Sequence, residues 1–302
     1  MVPTDVSIVV SGKSQLVGVI GWPVEHSLSP QMHNAAFRAH DLPYAYVPFA
    51  VEPEHLRDAV LALPALGIRG VNLTIPHKEA ALKIVDDLDE SANRAGAVNT
   101  VVHRDGRLVG YNTDGLGFLR ALEAAGFEFS GGRAVILGAG GSARSCAFAL
   151  VARDMHVTLA NRTLERAEAL AKALTEWKPN SNTECVVLRS DDSLRRVLGD
   201  SVLLVNTTRV GMHPYETEPP PVEQQMLHSG LFVYDLIYNP LETSLLQMAR
   251  TKGCRTLNGV RMLVEQGAAA FELWTGVEPD TTVMETAVLQ GLRGTLSQSS
   301  AR

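Results

Sequence analysis

The run Val135-Ile136-Leu137 leads directly into Gly138-Ala139-Gly140-Gly141-Ser142-Ala143, a G-x-G-x-x-A pattern followed by a helical pattern up to Val151. After a strand and before a helix, each small residue has a task. Gly138 allows the tight turn, Gly140 lets the backbone approach a pyrophosphate, and Ala143 permits close packing of helix on strand. The pyrophosphate would rest on free N–H groups at the helix N-terminus. The next apolar run, 156–160, ends in Asn161-Arg162-Thr163, with Arg166 one turn later. An NAD site usually carries Asp or Glu there to bond the ribose 2′-hydroxyl. No carboxylate stands at that strand end to repel a 2′-phosphate. Arg162 can stack on adenine and pair with the phosphate, and Asn161 and Thr163 can hydrogen-bond it. The alternative is a solvated arginine after a strand. The expected cofactor is NADP, and no metal-ligand spacing is present.

The first half of the chain holds the second set of reactive groups. His26-Ser27-Leu28-Ser29-Pro30, Asn72 to Lys78, Gly96-Ala97-Val98-Asn99-Thr100 and Tyr111-Asn112-Thr113-Asp114-Gly115 each follow or end an apolar run. Ligands of open α/β folds bind beyond the carboxyl ends of strands. Hydroxyls, amides, one lysine and one aspartate suit a small polyhydroxylated substrate with a carboxylate, and Ser27, Ser29, Thr74 and Asn99 are neutral groups able to read hydroxyls. Structural roles compete with each. Ser29, Thr74 and Asp114 could cap helices, Asn99 could sit in a bulge, and Lys78 could be a surface lysine.

The elements that must position these groups alternate. Strands are expected at 16–20, 44–49 and 70–73, with helices from Ser29-Pro30 to about His40, from Pro53 to about Leu63, and from Pro76 onward with Lys78 in the first turn. Asp105-Gly106 between 97–103 and 107–111 predicts a hairpin. A helix over 116–125 leads to a fresh βαβ series with strands near 133–137, 155–160, 184–188, 201–205 and 231–235. Pro214 to Pro221 reads as a surface loop, and the tail from Ser297 as frayed.

Composition narrows the class. With 302 residues, 45% of them hydrophobic and 20% charged, the chain fits roughly two globular domains of about 150 residues. A net charge of −6, from 27 basic and 33 acidic residues, argues against a general nucleic-acid or membrane-surface binder. No apolar run reaches about 18 residues, and the first residues lack the pattern of a signal peptide. The scattered Cys146, Cys185 and Cys254 read as reduced thiols, so the expected location is cytoplasmic.

In their order and spacing, HSLSP, NLTIPHK, AGAVNT, GYNTDG, GAGGSAR, NRT, Asn206-Thr207-Thr208 and the 258–266 segment NGVRMLVEQ make the chain resemble the shikimate dehydrogenase family over nearly its whole length. The resemblance implies two α/β domains with a cleft between them. One is an N-terminal mixed-sheet substrate domain over 1–113. The other is a Rossmann-like parallel-sheet NADP domain over 114–259, with helices of 260–302 returning to the first. It implies reversible NADPH-dependent reduction of 3-dehydroshikimate to shikimate, on the route to chorismate and aromatic amino acids. Residue by residue, it implies that Ser27 and Ser29 hold the substrate carboxylate, with Tyr238 near it. Thr74, Asn99, Asp114 and Gln266 line the ring hydroxyls, and Lys78 with Asp114 forms the catalytic pair. Gly138, Gly140 and Gly141 form the phosphate turn, Asn161, Arg162 and Thr163 the NADP clamp, Gly259 and Met262 lie beside the nicotinamide, and Thr207 belongs to the cofactor site. Thr208-Arg209 departs from the small, Ser-rich residues common in the family after that Asn-Thr pair.

Competing readings are a quinate/shikimate enzyme of dual specificity, a ligand sensor that kept the fold, and a chain active only through its nucleotide half. The expected partner is a small molecule rather than nucleic acid or membrane, with a homodimer left open. Domain closure about Asp114-Gly115 and Gly259-Val260 is expected, because hydride transfer needs the reacting atoms at contact distance.

Overall fold

The computed structural model describes residues 10–189, 191–213 and 215–299. Two compact units emerge, one formed by residues up to Thr113 together with those from Gly267 on, the other by Asp114–Gln266.

The first unit is built on strands β1 (Gln15–Gly21), β2 (Tyr44–Ala50), β3 (Ile68–Leu73), β4 (Asp87–Leu88), β5 (Thr100–Arg104) and β6 (Arg107–Tyr111), in the order β2-β1-β3-β5-β6-β4. β1 runs parallel to β2 and β3, while β5 is antiparallel to β3 and β6. The mixed pattern follows from the Asp105-Gly106 turn. Arg104 pairs with Arg107, and both turn residues take positive φ, 52° and 77°, the geometry that a two-residue hairpin demands. Helices α1 (Ser29–Ala39), α2 (Leu56–Leu61) and α3 (Glu90–Ala95) complete the N-terminal part. One face of the sheet buries Ile20, Val71, Leu73, Val98 and Val101 with Leu56 and Val60 of α2. The other carries an aromatic cluster of His33, Phe37, Tyr46, Phe271 and Trp274. Trp274 Nε1 donates to Val101 O at 3.1 Å. Gly70 makes room for it, since a Cβ there would lie 2.3 Å from that nitrogen.

Two expected features of this unit are corrected. Pro76 does not open an α-helix. Lys78 lies in a turn ahead of a short 3-10 segment, Ala80–Lys83, so no helix dipole acts on it. The polar run around it is tied down from outside instead. His77 Nε2 meets Val51 O at 2.8 Å, and Val98 N–H donates to Lys78 O at 2.8 Å. Ser29 does not cap α1 either. The N-cap is Leu28, and Ser29 is the first helical residue, before Pro30.

The second unit begins with α4 (Asp114–Ala124). It then alternates β7 (Arg133–Leu137), α5 (Gly141–Ala152), β8 (His156–Asn161), α6 (Leu164–Trp177), β9 (Thr183–Val187), α7 (Asp192–Gly199), β10 (Ser201–Asn206), β11 (Phe232–Asp235), α8 (Ser244–Thr251) and β12 (Arg255–Leu257). The six strands are all parallel, in the order β12-β11-β10-β7-β8-β9. Both faces are covered, as the continuous apolar strands require. Ala134 and Ile136 of β7 join the core with Phe118, Ala143, Cys146 and Leu170, whereas Val135 and Leu137 join the opposite core with Leu194, Leu204 and Leu245. α9 (Val260–Thr275) runs across the division between the units, and α10 (Thr281–Ser299) follows it. Ser297 and Ser299 belong to α10 rather than to a frayed tail; residues 300–302 and Pro214 lie outside the described residues.

Candidate active site

In the first unit the parallel strands β1 and β3 end side by side. Thr74 N–H donates to Ile20 O at 3.0 Å, and Trp22 N–H donates to Ile75 O at 3.2 Å. Gly21 sits against Thr74, where a Cβ would come within 2.4 Å of the threonine methyl. Leu73 N–H reaches Asn99 O at 2.8 Å, which brings Thr74, Lys78 and Asn99 onto adjoining segments. Ser27 Oγ accepts from Ser29 N–H at 3.3 Å on the segment after β1. Ser27, Ser29, Thr74 and Lys78 are half-buried and Asn99 is buried.

A buried network stands behind these groups. Asn99 Oδ1 accepts from Thr113 N–H at 2.8 Å and from Thr100 Oγ1 at 2.9 Å, and Asn99 Nδ2 donates to Thr113 Oγ1 at 2.9 Å. Asn72 Nδ2 donates to Asn99 O and Thr100 Oγ1, and Asn72 Oδ1 accepts the Tyr46 hydroxyl at 2.7 Å. Burial pushes the Tyr46 hydroxyl far up. Sequence reading assigned neither Tyr46 nor Asn72 a role. Tyr46 looks like a strand hydrophobe, and only its partners reveal it.

In the second unit Gly138 has φ of 110°, and a Cβ there would lie 2.6 Å from Thr207 Oγ1. Thr207 Oγ1 in turn donates to Leu137 O at 2.6 Å. Ala139 is half-buried, Gly140 is the N-cap of α5 with no side-chain cap, and Ala143 is fully buried. Gly140 and Gly141 have open space where a Cβ would project, and Ser142 beside them is exposed. First-turn N–H groups under open space are the donor set a phosphate needs. At the end of β8, Asn161 Nδ2 donates to Thr163 O at 2.8 Å and so holds the turn. Thr163 is the N-cap of α6, but its side chain makes no capping bond. Arg162 and Arg166 are exposed, and among the described residues neither is held in an ion pair. These groups fit an NADP pyrophosphate and 2′-phosphate.

The remaining candidates also fall in this unit. Asp114 is buried as the first residue of α4. Burial, then the Asp114 charge, pushes the Cys146 thiol well up. Gly117 fits α4 against Gln266, since a Cβ would lie 2.6 Å from Gln266 N; Gln266 Nε2 donates to Leu263 O at 2.8 Å. Tyr238 is half-buried, and burial raises its hydroxyl. Gly259 must be glycine, because a Cβ would lie 2.0 Å from Leu236 O. Met262 is buried in the core beside Phe118 and Tyr234.

Asp235 went unnoticed in the sequence. Its carboxylate accepts from Asn206 Nδ2 at 3.0 Å, Thr243 Oγ1 at 2.6 Å and Ile237 N–H at 3.2 Å, while Asn206 Oδ1 holds Thr208. Burial raises its pKa to about 6, against those bonds. It fixes the ends of β10 and β11 from which Thr207 projects. An aspartate closing an apolar strand was the available signal.

Comparison with known proteins identifies the family. Residues 19–101 match the family described as the shikimate dehydrogenase substrate binding domain, 121–189 shikimate / quinate 5-dehydrogenase, and 259–289 the shikimate 5′-dehydrogenase C-terminal domain. The shikimate dehydrogenase (NADP(+)) of Methanopyrus kandleri is 50% identical over 96% of this chain and 100% of its own length. A crystal structure of a shikimate dehydrogenase in complex with NADP+ superimposes with a TM-score of 0.89 at 44% identity, covering 94% of this chain and 98% of that one. The Thermus thermophilus shikimate 5-dehydrogenase with NADP(H) and shikimate gives 0.83 at 40% identity, over 92% and 100%.

Proposed function

Since the chain belongs to the shikimate dehydrogenase family, its reaction is the NADP-dependent interconversion of 3-dehydroshikimate and shikimate, and we propose that Lys78 and Asp114 carry the proton chemistry of that reaction. NADPH supplies the hydride to the ketone carbon when bound. Negative charge then develops on the ketone oxygen, which requires a proton donor within about 3 Å. Lys78 gives that proton in reduction and takes it back in oxidation, while Asp114 orients the lysine and binds the reacting hydroxyl. The observation that carries this assignment is the bond from Val98 N–H to Lys78 O, 2.8 Å. It fixes the lysine's loop beside the segment bearing Asn99 without help from a helix.

Within the same reading, Ser27 and Ser29 take the substrate carboxylate with Tyr238 nearby, and Thr74, Asn99 and Gln266 read the ring hydroxyls. Their chemistry supports this, for each is a neutral donor and acceptor suited to a polyol. The phosphate turn at 138–143, with Arg162, Thr163 and Arg166, takes NADP. The division of labour follows, with the mixed-sheet unit serving substrate and the parallel-sheet unit the cofactor. Among the described residues no helix is long and apolar enough to cross a membrane. All three cysteines are free thiols, which supports a reducing, cytoplasmic setting.

The test follows reduction of the nicotinamide by its absorbance, with shikimate and quinate each offered with NADP and NAD. Rapid turnover restricted to shikimate with NADP is the expected result. Comparable rates on quinate would move the chain to dual specificity, and a preference for NAD would remove the clamp assigned to Arg162.

A further inference from the structure

A chain of hydrogen bonds with fixed direction runs from the end of β11 to the loop after β10. It starts at Asp235, whose carboxylate only accepts. Asp235 Oδ1 takes Asn206 Nδ2 at 3.0 Å and Ile237 N–H at 3.2 Å, and Oδ2 takes the Thr243 hydroxyl at 2.6 Å. With its amide nitrogen turned to the carboxylate, Asn206 must face its oxygen the other way. That oxygen takes Thr208 N–H at 3.1 Å and the Thr208 hydroxyl at 2.8 Å. The hydroxyl proton is thereby committed, and Thr208 Oγ1 accepts from Val210 N–H at 3.3 Å.

The residues held in this way stand against the glycine-rich turn. The point that a Cβ on Gly138 would occupy lies 2.6 Å from Thr207 Oγ1 and 3.6 Å from Thr208 Cγ2. Thr207 N–H and Oγ1 both donate to Leu137 O, at 3.0 and 2.6 Å, at the strand end where that turn begins. The far side of the brace is anchored too. Thr243 caps α8 by accepting from Leu246 N–H at 3.3 Å, and Leu236 N–H donates to Asn206 O at 3.0 Å. Asp235 and Asn206 are both 0% exposed, so Asp235 can act on a ligand only through these bonds.

We infer that Asp235 is a positioning residue for the dinucleotide, acting through Asn206 to hold Thr207 and Thr208 at the distance from Gly138 that lets a pyrophosphate rest on the turn. This rests on the placement of the cofactor at 138–143. The braced residues adjoin the glycine turn rather than the cationic end of β8, so the brace serves the part that NADP and NAD share. Asn206 needs an acceptor from residue 235, not a charge. In Asp235→Asn the amide oxygen keeps Asn206 Nδ2 and Ile237 N–H, and the amide nitrogen donates to Thr243 Oγ1.

The KM for each nucleotide, measured at saturating shikimate, tests this. Asn206→Leu cuts the chain yet leaves Asp235 two of its three donors. It should raise the KM for NADP and for NAD alike by roughly 3- to 10-fold, the scale of one or two neutral hydrogen bonds, with the KM for shikimate within about twofold. Asp235→Ala should do the same, whereas Asp235→Asn should keep both nucleotide values within about twofold of the unmodified enzyme. If Asp235→Ala does not fold, Asn206→Leu and Asp235→Asn decide. Nucleotide KM values unchanged in Asn206→Leu, or raised as far by Asp235→Asn, overturn the proposal and leave the cofactor placement standing. An equal rise in the KM for shikimate means general loosening and overturns it as well. Gly140→Ala checks the placement itself: an unchanged KM for NADP there overturns that placement, and the proposal with it.

Discussion

Asn72, Asn99, Thr100 and Thr113 of the substrate unit are bonded to one another inside the protein, whereas Arg162 and Arg166 of the nucleotide unit stand exposed and Gly140 and Gly141 face open space. Under the proposed assignment, the difference matches the ligands. A small polyol offers few atoms, so each protein group must already be aimed, and buried networks aim side chains well. A dinucleotide offers charged phosphates, for which backbone N–H groups and exposed cations suffice. The two units also differ in buried titratable groups. The substrate unit encloses His33, fully buried with neither ring nitrogen partnered, its pKa lowered by burial to about 3. The nucleotide unit encloses Asp235, raised to about 6.

The largest expected effect tests the aimed side. Lys78→Ala should lower turnover at least about a hundredfold, as loss of a general acid–base does, with NADP affinity unchanged in a binding titration. Near-normal turnover would remove Lys78 from the chemistry.

Acid should separate the units next. His33 binds a proton only when unfolded between pH 6.5 and about 3, so its unit loses stability as pH falls through that window. At pH 5 the loss is about 2 kcal/mol, at 1.36 kcal/mol per pH unit. Asp235 binds a proton in the folded state below about 6 but in the unfolded state only below 3.8, so its unit gains about 1 kcal/mol between pH 6 and 5. Hydrogen exchange resolved by peptide should show 15–111 loosening before 133–235 on acidification. His33→Phe should flatten the first trend and Asp235→Asn the second. Equal loosening of both segments would contradict the contrast.

Two glycines sharpen the picture on the open side. Gly138→Ala places a Cβ at positive φ and against Thr207, which should cost about 1–3 kcal/mol of stability in a denaturant titration. Gly140→Ala meets nothing and should stay within about 0.5 kcal/mol, yet still raise the KM for NADP by crowding the pyrophosphate. An unaffected KM would move the phosphate elsewhere. The last effect is electrostatic. Arg162→Ala should raise the KM for NADP about tenfold, the scale of a charge-assisted bond, and leave that for NAD within about threefold. Equal loss for both cofactors would assign Arg162 to adenine rather than to the 2′-phosphate.

The features legible in the sequence are those set by neighbours along the chain. Asp105-Gly106 specifies its hairpin because positive φ at both positions is a local demand. The 138–143 turn is readable for the same reason, and so are the short apolar runs that form the parallel sheet. Pro76 misled because proline suits the start of a helix, yet that loop is held through His77 and Lys78 by Val51 and Val98, both far away along the chain. β4 and β12, two and three residues long, exist only through the ladders of β6 and β11, so no local pattern announces them.

By itself, then, the sequence determined the two kinds of sheet, the glycine-rich turn at 138–143, the cationic strand end and the inventory of polar groups, since residue type and spacing carry those. Tertiary structure alone decided that Ser29 begins its helix rather than capping it, that Asn72 has an oxygen facing a tyrosine, and that a buried aspartate braces the strand end before Thr207. A hydrogen bond between distant segments depends on where the chain returns, and only the folded packing sets that.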